Sequence, residues 1–159
     1  MTETLFDDYQ PERIVKASDE QYTPKWIFDA LGCVFHMDVC APTEGPRHTP
    51  CIRWIDAQQD GLTTRWRGMV WMNPPYSNAT PWIDKWIEHG NGICLVPFAK
   101  SLWLNRLWQS RAVCVPMQPS LKFEQTDYTM SSIMLPVALW AIGNGAIDTL
   151  RHANLGKVR

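Results

Sequence analysis

The sequence predicts an α/β fold: a mostly parallel sheet with an antiparallel strand near its C-terminal end. Three observations lead there. Short β-rich runs alternate with helical stretches of about ten residues, the pattern of a parallel sheet covered on both faces. Two of the helices open on Thr-Pro, a natural helix start. The last two strands are joined by residues 116–136, long and poor in helix signals, which suggests an antiparallel excursion at one end of the sheet.

The first helix opens with Thr23 at the N-cap and Pro24 at the first helical position, where a missing N–H is no loss. Trp26, Ile27, Ala30 and Leu31 fall on one face, and Gly32 stops it. Residues 34–39 read as a strand, 42–50 as a loop by their prolines and glycine, and 51–55 as a second strand. Asp60-Gly61 marks a turn, and 68–72 is a buried strand cut by Asn73-Pro74-Pro75-Tyr76. A second helix covers 80–88, with Thr80 as its cap and Pro81 next. A strand over 93–97, a helix over 101–110 and strands over 112–115 and 137–142 complete the set, with Pro136 at the start of the last. The strand ends at Asp38, Asn73 and Pro97 should meet at one carboxyl edge, where such sheets bind ligands. Residues 1–18 read as a partly ordered acidic arm, 19–150 as the folded domain and 151–159 as a basic tail.

The chain has 159 residues, 45% hydrophobic and 19% charged, which is globular composition for one domain. Fifteen basic residues against sixteen acidic ones exclude a polycationic coat for nucleic acid. The charge is uneven: residues 1–20 hold six acids and two bases, whereas 151–159 hold three bases and no acid. Affinity for nucleic acid would come from a local patch and be salt-sensitive. No apolar run reaches the ~18 residues of a membrane span, and the acidic N-terminus is unlike a signal peptide, so a cytoplasmic location without membrane partners is expected. Cys33, Cys40, Cys51, Cys94 and Cys114 are then reduced thiols. The spacing of Cys33, His36, Cys40, His48 and Cys51 matches no common zinc framework, so no metal is expected.

The strongest chemical signal is Asn73-Pro74-Pro75-Tyr76 directly after a hydrophobic strand. Two consecutive prolines remove two N–H donors and hold the backbone extended. The result is a rigid rim of carbonyl oxygens with an aromatic ring beside it, suited to an exocyclic amino group and a planar base. As a bare tetrapeptide it could also be a plain turn.

This tetrapeptide matches the catalytic motif of amino-group methyltransferases that use S-adenosylmethionine. Together with Tyr22-Thr23-Pro24, Asp38-Val39-Cys40-Ala41, Asp60-Gly61-Leu62 and Trp66, the chain resembles the phage-type DNA N6-adenine methyltransferase (Dam) family over roughly residues 19–142. The resemblance implies a minimal Rossmann-like methyltransferase fold, S-adenosylmethionine as cofactor and DNA, with an adenine flipped from the duplex, as substrate. It implies that the Asn73 side-chain carbonyl and the Pro74 backbone carbonyl accept the N6 hydrogens, that Pro75 stiffens the rim, and that Tyr76 stacks on the base. Extruding a base costs a few kcal/mol and one aromatic returns ~1–3 kcal/mol, so a second aromatic is expected. Phe98 and Phe123 are the candidates, with Trp82 behind them.

For the cofactor, the resemblance places Tyr22, Thr23 and Pro24 near the methionine carboxylate at the first helix, and Asp38 on the methionine amino group. Val39, Cys40 and Ala41 let the backbone approach, Asp56 would hold the ribose, and Asp60 with Gly61 and Leu62 the adenine. Two departures stand out. The glycine-rich turn after the first strand is replaced by Cys40-Ala41-Pro42, and only 35 residues separate Asp38 from Asn73. Two alternatives follow: methylation of another amino group, on a protein glutamine or an RNA base, or a non-catalytic binding module. Base choice is expected to rest on loops 42–50, 77–81 and 116–131, with low specificity or a second subunit in a homodimer.

Overall fold

Strands buried on both faces need two layers of cover, and the computed structural model shows how the chain supplies them. It describes residues 21–56, 58–98, 101–118, 121–132 and 136–159; the acidic arm at 1–18 lies outside the described residues. Six strands form one sheet in the order β2 (Cys51–Trp54), β1 (Phe35–Asp38), β3 (Val70–Met72), β4 (Gly92–Pro97), β8 (Val137–Ile142), β5 (Val113–Pro116). The β2–β1, β1–β3 and β3–β4 pairs are parallel, and β8 is antiparallel to both β4 and β5. The fold is therefore mixed α/β with a mostly parallel sheet. Strands β6 (Lys122–Glu124) and β7 (Met130–Ser132) make a separate antiparallel hairpin.

The antiparallel strand differs from expectation in position. It lies inside the sheet, between β4 and β5, because all six of its residues are apolar and both of its faces are covered. Alternation sorts the side chains. Val70, Met72, Cys94, Val96, Ala138 and Trp140 point to one core, closed by α2 (Thr80–His89) and α3 (Leu102–Gln109) through Ile83, Trp86, Trp103 and Leu107. Trp71, Ile93, Leu95, Val137, Leu139 and Ala141 point to the other. That second core is closed by α1 (Lys25–Leu31) and α4 (Asn144–His152) through Ile27, Phe28, Leu31, Ala146 and Leu150. Strand β2 has exposed side chains along most of its length, as an edge strand must.

Three local readings are corrected. Thr23 is not the cap of α1: Pro24, with extended φ −65° and ψ 145°, is the half-in residue, and no side chain caps the helix. Gly32 ends it as expected, at a left-handed φ of 61°. Thr80 is already the first residue of α2, with Ala79 as its N-cap. The supposed basic tail begins inside α4, and Arg159 exchanges both backbone hydrogen bonds with Cys114 of β5, at 2.9 and 3.0 Å. An apolar face (Ala146, Leu150) opposite a polar one carries α4, a signal hidden by Gly143 before the helix and Gly145 in its first turn.

Among the described residues no helix is long and apolar enough to cross a membrane.

Candidate active site

No helix connects β1 to β2. The link is the proline-rich loop 39–50, which folds over the carboxyl edge of the sheet instead of crossing its face. A cavity results at that edge. Its wall includes Gln21, Tyr22 and Thr23 ahead of α1, Asp38, Cys40 and Ala41 at the end of β1, and Asp56 and Gly61 after β2. Asn73, Pro75 and Trp82 close it from the side of β3 and α2. Parallel registry sets Asp38 level with Trp71, two residues before Asn73, so the two side chains share one rim.

Asp38 is the electrostatic centre. Only 3% of it is exposed, and among the described residues no salt bridge engages it. Burial pushes its carboxyl up to about 7, against the pull of hydrogen bonds from the Cys40 N–H and the Thr49 side chain. A buried carboxylate on a cavity wall, with no salt-bridge partner among the described residues, is suited to a ligand that brings its own positive charge. The amino group of a methionine moiety fits that demand.

Gly61 fits a ligand wall for a steric reason. A Cβ there would stand 2.2 Å from the Val39 carbonyl oxygen and 2.8 Å from the Trp82 ring, so the loop can pass this close to β1 only without a side chain. Its carbonyl accepts from Trp66 Nε1 at 2.8 Å and from Lys85 Nζ at 3.0 Å. Lys85 also donates to the carbonyls of Leu62 at 2.8 Å and Thr64 at 2.6 Å, tying the 60–64 turn to α2. Gly61→Ala is expected to lower the urea midpoint by about 1–3 kcal/mol equivalent, at the upper end because the nearest atom is backbone. Lys85→Met leaves three carbonyls short of one donor, with an expected loss of about 1.5–3 kcal/mol in the same assay. Lys85→Arg should not restore it, since a planar fork cannot aim at three convergent oxygens.

Asn73 is oriented by its neighbours. Its Nδ2 donates to the Gln21 carbonyl at 3.3 Å and to Thr23 Oγ1 at 3.4 Å. A carbonyl oxygen can only accept, so the amide nitrogen must face Gln21, and Oδ1 is left to accept from a ligand. Thr23 thus serves the rim through Asn73 rather than through the helix. Pro74 is buried behind the rim, and the Pro75 carbonyl accepts from Asn78 N at 3.1 Å, starting a 3-10 turn at Tyr76–Asn78.

The aromatic candidates part company. The Tyr76 hydroxyl donates to the Leu95 carbonyl at 3.3 Å, and burial, helped by Cys94 and Cys40, pushes its phenol well above the usual range. Its ring is half-buried and outside the cavity wall. Trp82 is on that wall, 3% exposed. Phe98 is half-buried, edge-on to Trp108 at 5.9 Å. Phe123 is corrected outright: at 0% exposure it is part of the second core and has no face for a base, because β6 turns it inward.

Among the remaining candidates, Val39 is fully buried and contributes its backbone, while Pro24 is the cap of α1. Asp60, at φ 52°, spends its carboxylate on the Leu62 N–H at 3.1 Å and lies off the wall, as does Leu62. Asp56 is on the wall and accepts from the N–H groups of Gln58 and Gln59. Among the described residues no three His, Cys, Asp or Glu side chains converge on a metal site.

Missing from the residues expected at the site is the inner lining of loop 42–50, namely Thr43, Arg47, His48 and Thr49. The only sequence signal was a proline-bracketed loop just after an Asp-ending strand. Arg47 donates to Glu124 Oε1 at 2.7 Å and to the carbonyls of Gln125 and Thr126, and His48 Nε2 lies 2.9 Å from Glu124 Oε2. Burial alone would push the Glu124 carboxyl up, yet the hydrogen bonds from His48 and Arg47 hold it below its usual range. Tyr22 is bridged to Glu124 by backbone bonds of 2.8 and 2.9 Å. The β6–β7 hairpin is thereby fastened to two walls of the cavity.

Two of the three comparisons with known proteins give matches. The family described as DNA N-6-adenine-methyltransferase (Dam) matches residues 11–113. A DNA N-6-adenine-methyltransferase of Haemophilus phage HP1 (strain HP1c1) is 36% identical over 75 residues, a match covering 43% of this chain and 42% of that protein. No solved structure matches.

Proposed function

The chain belongs to the DNA N-6-adenine-methyltransferase (Dam) family, and from that premise we propose that it transfers a methyl group from S-adenosylmethionine to the N6 amino group of adenine in DNA. The observation that carries the reading is the pairing, on one cavity rim, of a cation-seeking Asp38 with an Asn73 whose Oδ1 is free to accept. We read the sheet as a minimal Rossmann-like methyltransferase core in which loop 39–50 replaces a crossover helix.

When bound, S-adenosylmethionine supplies an electrophilic sulfonium methyl carbon. Asp38 would hold its amino group, Gly61 and Asp56 would border its nucleoside, and Thr23 would steady the rim. The N6 lone pair of adenine is delocalised into the ring. Asn73 Oδ1 would accept one of its two hydrogens and, as the family resemblance implies, the Pro74 carbonyl the other, drawing nitrogen toward tetrahedral geometry. The N6 lone pair would then be free for the methyl carbon that the cofactor supplies, and the surplus N6 proton would leave to water. Preorganised acceptors aimed at developing charge are an efficient source of rate. The base must leave the duplex to reach this rim.

Calorimetry with S-adenosylmethionine, followed by tritiated-methyl transfer to unmethylated duplex DNA, RNA and protein, tests the reading. Saturable binding and label on DNA as N6-methyladenine is the expected result. No heat of binding would identify a non-catalytic module, and label on RNA or protein alone would identify another amino-group methyltransferase.

A further inference from the structure

We propose that Tyr128 is a DNA-stacking residue, held at the mouth of the cavity by Arg47, with its outer ring face taking a base of the substrate. The proposal rests on the reading of the chain as a DNA methyltransferase and names an aromatic contact to DNA outside the cavity wall. Residue 128 lies outside the segment matched by the family, 11–113.

The turn joining β6 to β7 is stiff. Gln125 N donates to the Thr129 carbonyl at 2.8 Å, and Tyr128 N to the Gln125 carbonyl at 3.0 Å. Asp127 accepts from both the backbone N–H and the hydroxyl of Thr129, at 3.0 and 2.6 Å. Tyr128 itself has φ 68°, a left-handed conformation that an aromatic residue rarely adopts. Such strain concentrates where a side chain must be aimed.

Here the aim is outward: Tyr128 is 71% exposed, the most exposed of the large apolar and aromatic side chains among the described residues. One face is nevertheless occupied. The Arg47 guanidinium carbon lies 3.9 Å from the centroid of Tyr128 and 3.9 Å from that of Tyr22. Three of its five N–H groups are engaged by Glu124, Gln125 and Thr126 and its charge is met by Glu124, so Arg47 serves as a shelf for the ring. Tyr22 and Arg47 line the cavity, whereas Tyr128 stands outside it. The stack therefore runs from the cavity wall to the surface and presents an open aromatic face on the side where Gln21, next in the chain to Tyr22, accepts from Asn73. A planar base is the chemistry that such a face recognises without sequence preference.

The test uses the full chain, a fluorescein-labelled duplex with S-adenosylhomocysteine for anisotropy, and calorimetry for cofactor affinity. Tyr128→Ala is expected to weaken duplex binding about tenfold, the loss typical of one stacked base, with cofactor affinity unchanged. Tyr128→Phe, which keeps the ring, should bind as wild type. Arg47 is a positioning residue: Arg47→Met should lower duplex affinity similarly, and adding Tyr128→Ala to it should cost little more, because the shelf is already gone. Duplex binding by Tyr128→Ala within twofold of wild type, or an equal loss of cofactor affinity, would overturn the proposal. A wild-type protein that binds duplex through Tyr128 but transfers no methyl group would instead overturn the functional reading alone, and one that binds no duplex would overturn both.

Discussion

Asp38→Asn is expected to raise the melting temperature of the free protein at pH 8 while sharply weakening its binding of S-adenosylmethionine. In the unfolded chain an aspartate ionises near 3.9; in the folded protein burial pushes Asp38 up to about 7. The folded state therefore favours the neutral acid. Its contribution to stability is full below about pH 4, is lost as pH rises from there through 7, and stays lost above. Three pH units correspond to a ceiling of about 4 kcal/mol, so on the order of 2–4 kcal/mol, or about 5–15 °C, is recovered by the uncharged amide.

The difference between variant and wild type should vanish near pH 4 and level off above pH 7. Cofactor binding moves the other way. An ammonium pairs with the ionised carboxylate, so the variant should bind at least ~30-fold more weakly. Wild-type affinity should fall about tenfold for each pH unit below 7, and calorimetry at pH 6 in buffers of differing ionisation enthalpy should register a released proton. Equal melting temperatures at pH 8 would show that Asp38 carries no burial penalty, and equal affinities would show that it is not a ligand.

Asn73→Ala should reduce methyl transfer by two to three orders of magnitude, the usual effect of removing one preorganised group from a site of developing charge. Cofactor affinity should drop less than about tenfold. Some loss is expected because the amide also tethers Gln21 and Thr23, the wall facing Asp38. Single-turnover transfer at saturating cofactor separates the two effects. An unchanged transfer rate, or a loss accounted for wholly by weaker cofactor binding, would make Asn73 a structural residue of the wall.

Much of the framework was legible because it depends on local spacing. The six-residue apolar runs of β4 and β8 could only be strands covered on both sides, and Asn73-Pro74-Pro75-Tyr76 interrupts β3 wherever the rest of the chain goes. Phe123 and Tyr128 show the limit. Both are aromatics in one helix-poor connection, and pairing of β6 with β7 sends the first into the core while the turn aims the second outward. A one-residue change of register would exchange such fates, and nothing in the composition of 116–136 sets that register. Lys85 and Glu124 were illegible for a related reason: isolated charges on a helix and a strand, whose partners lie 21 or more and 76 or more residues away.

Alternation, prolines and the order of the acidic strand end and the proline rim determined, from sequence by itself, the six strands of the main sheet and that Asp38 and Asn73 reach its carboxyl edge, but not the β6–β7 hairpin. Only the tertiary structure decided that β8 enters between β4 and β5, that Tyr76 turns its hydroxyl into the sheet, and that Arg47 joins loop 39–50 to the hairpin. The physical reason is range. Backbone preference and amphipathic period act over a few residues, whereas burial of a charge, the facing of an amide and the stacking of a guanidinium depend on groups that only long-range folding brings within about 4 Å.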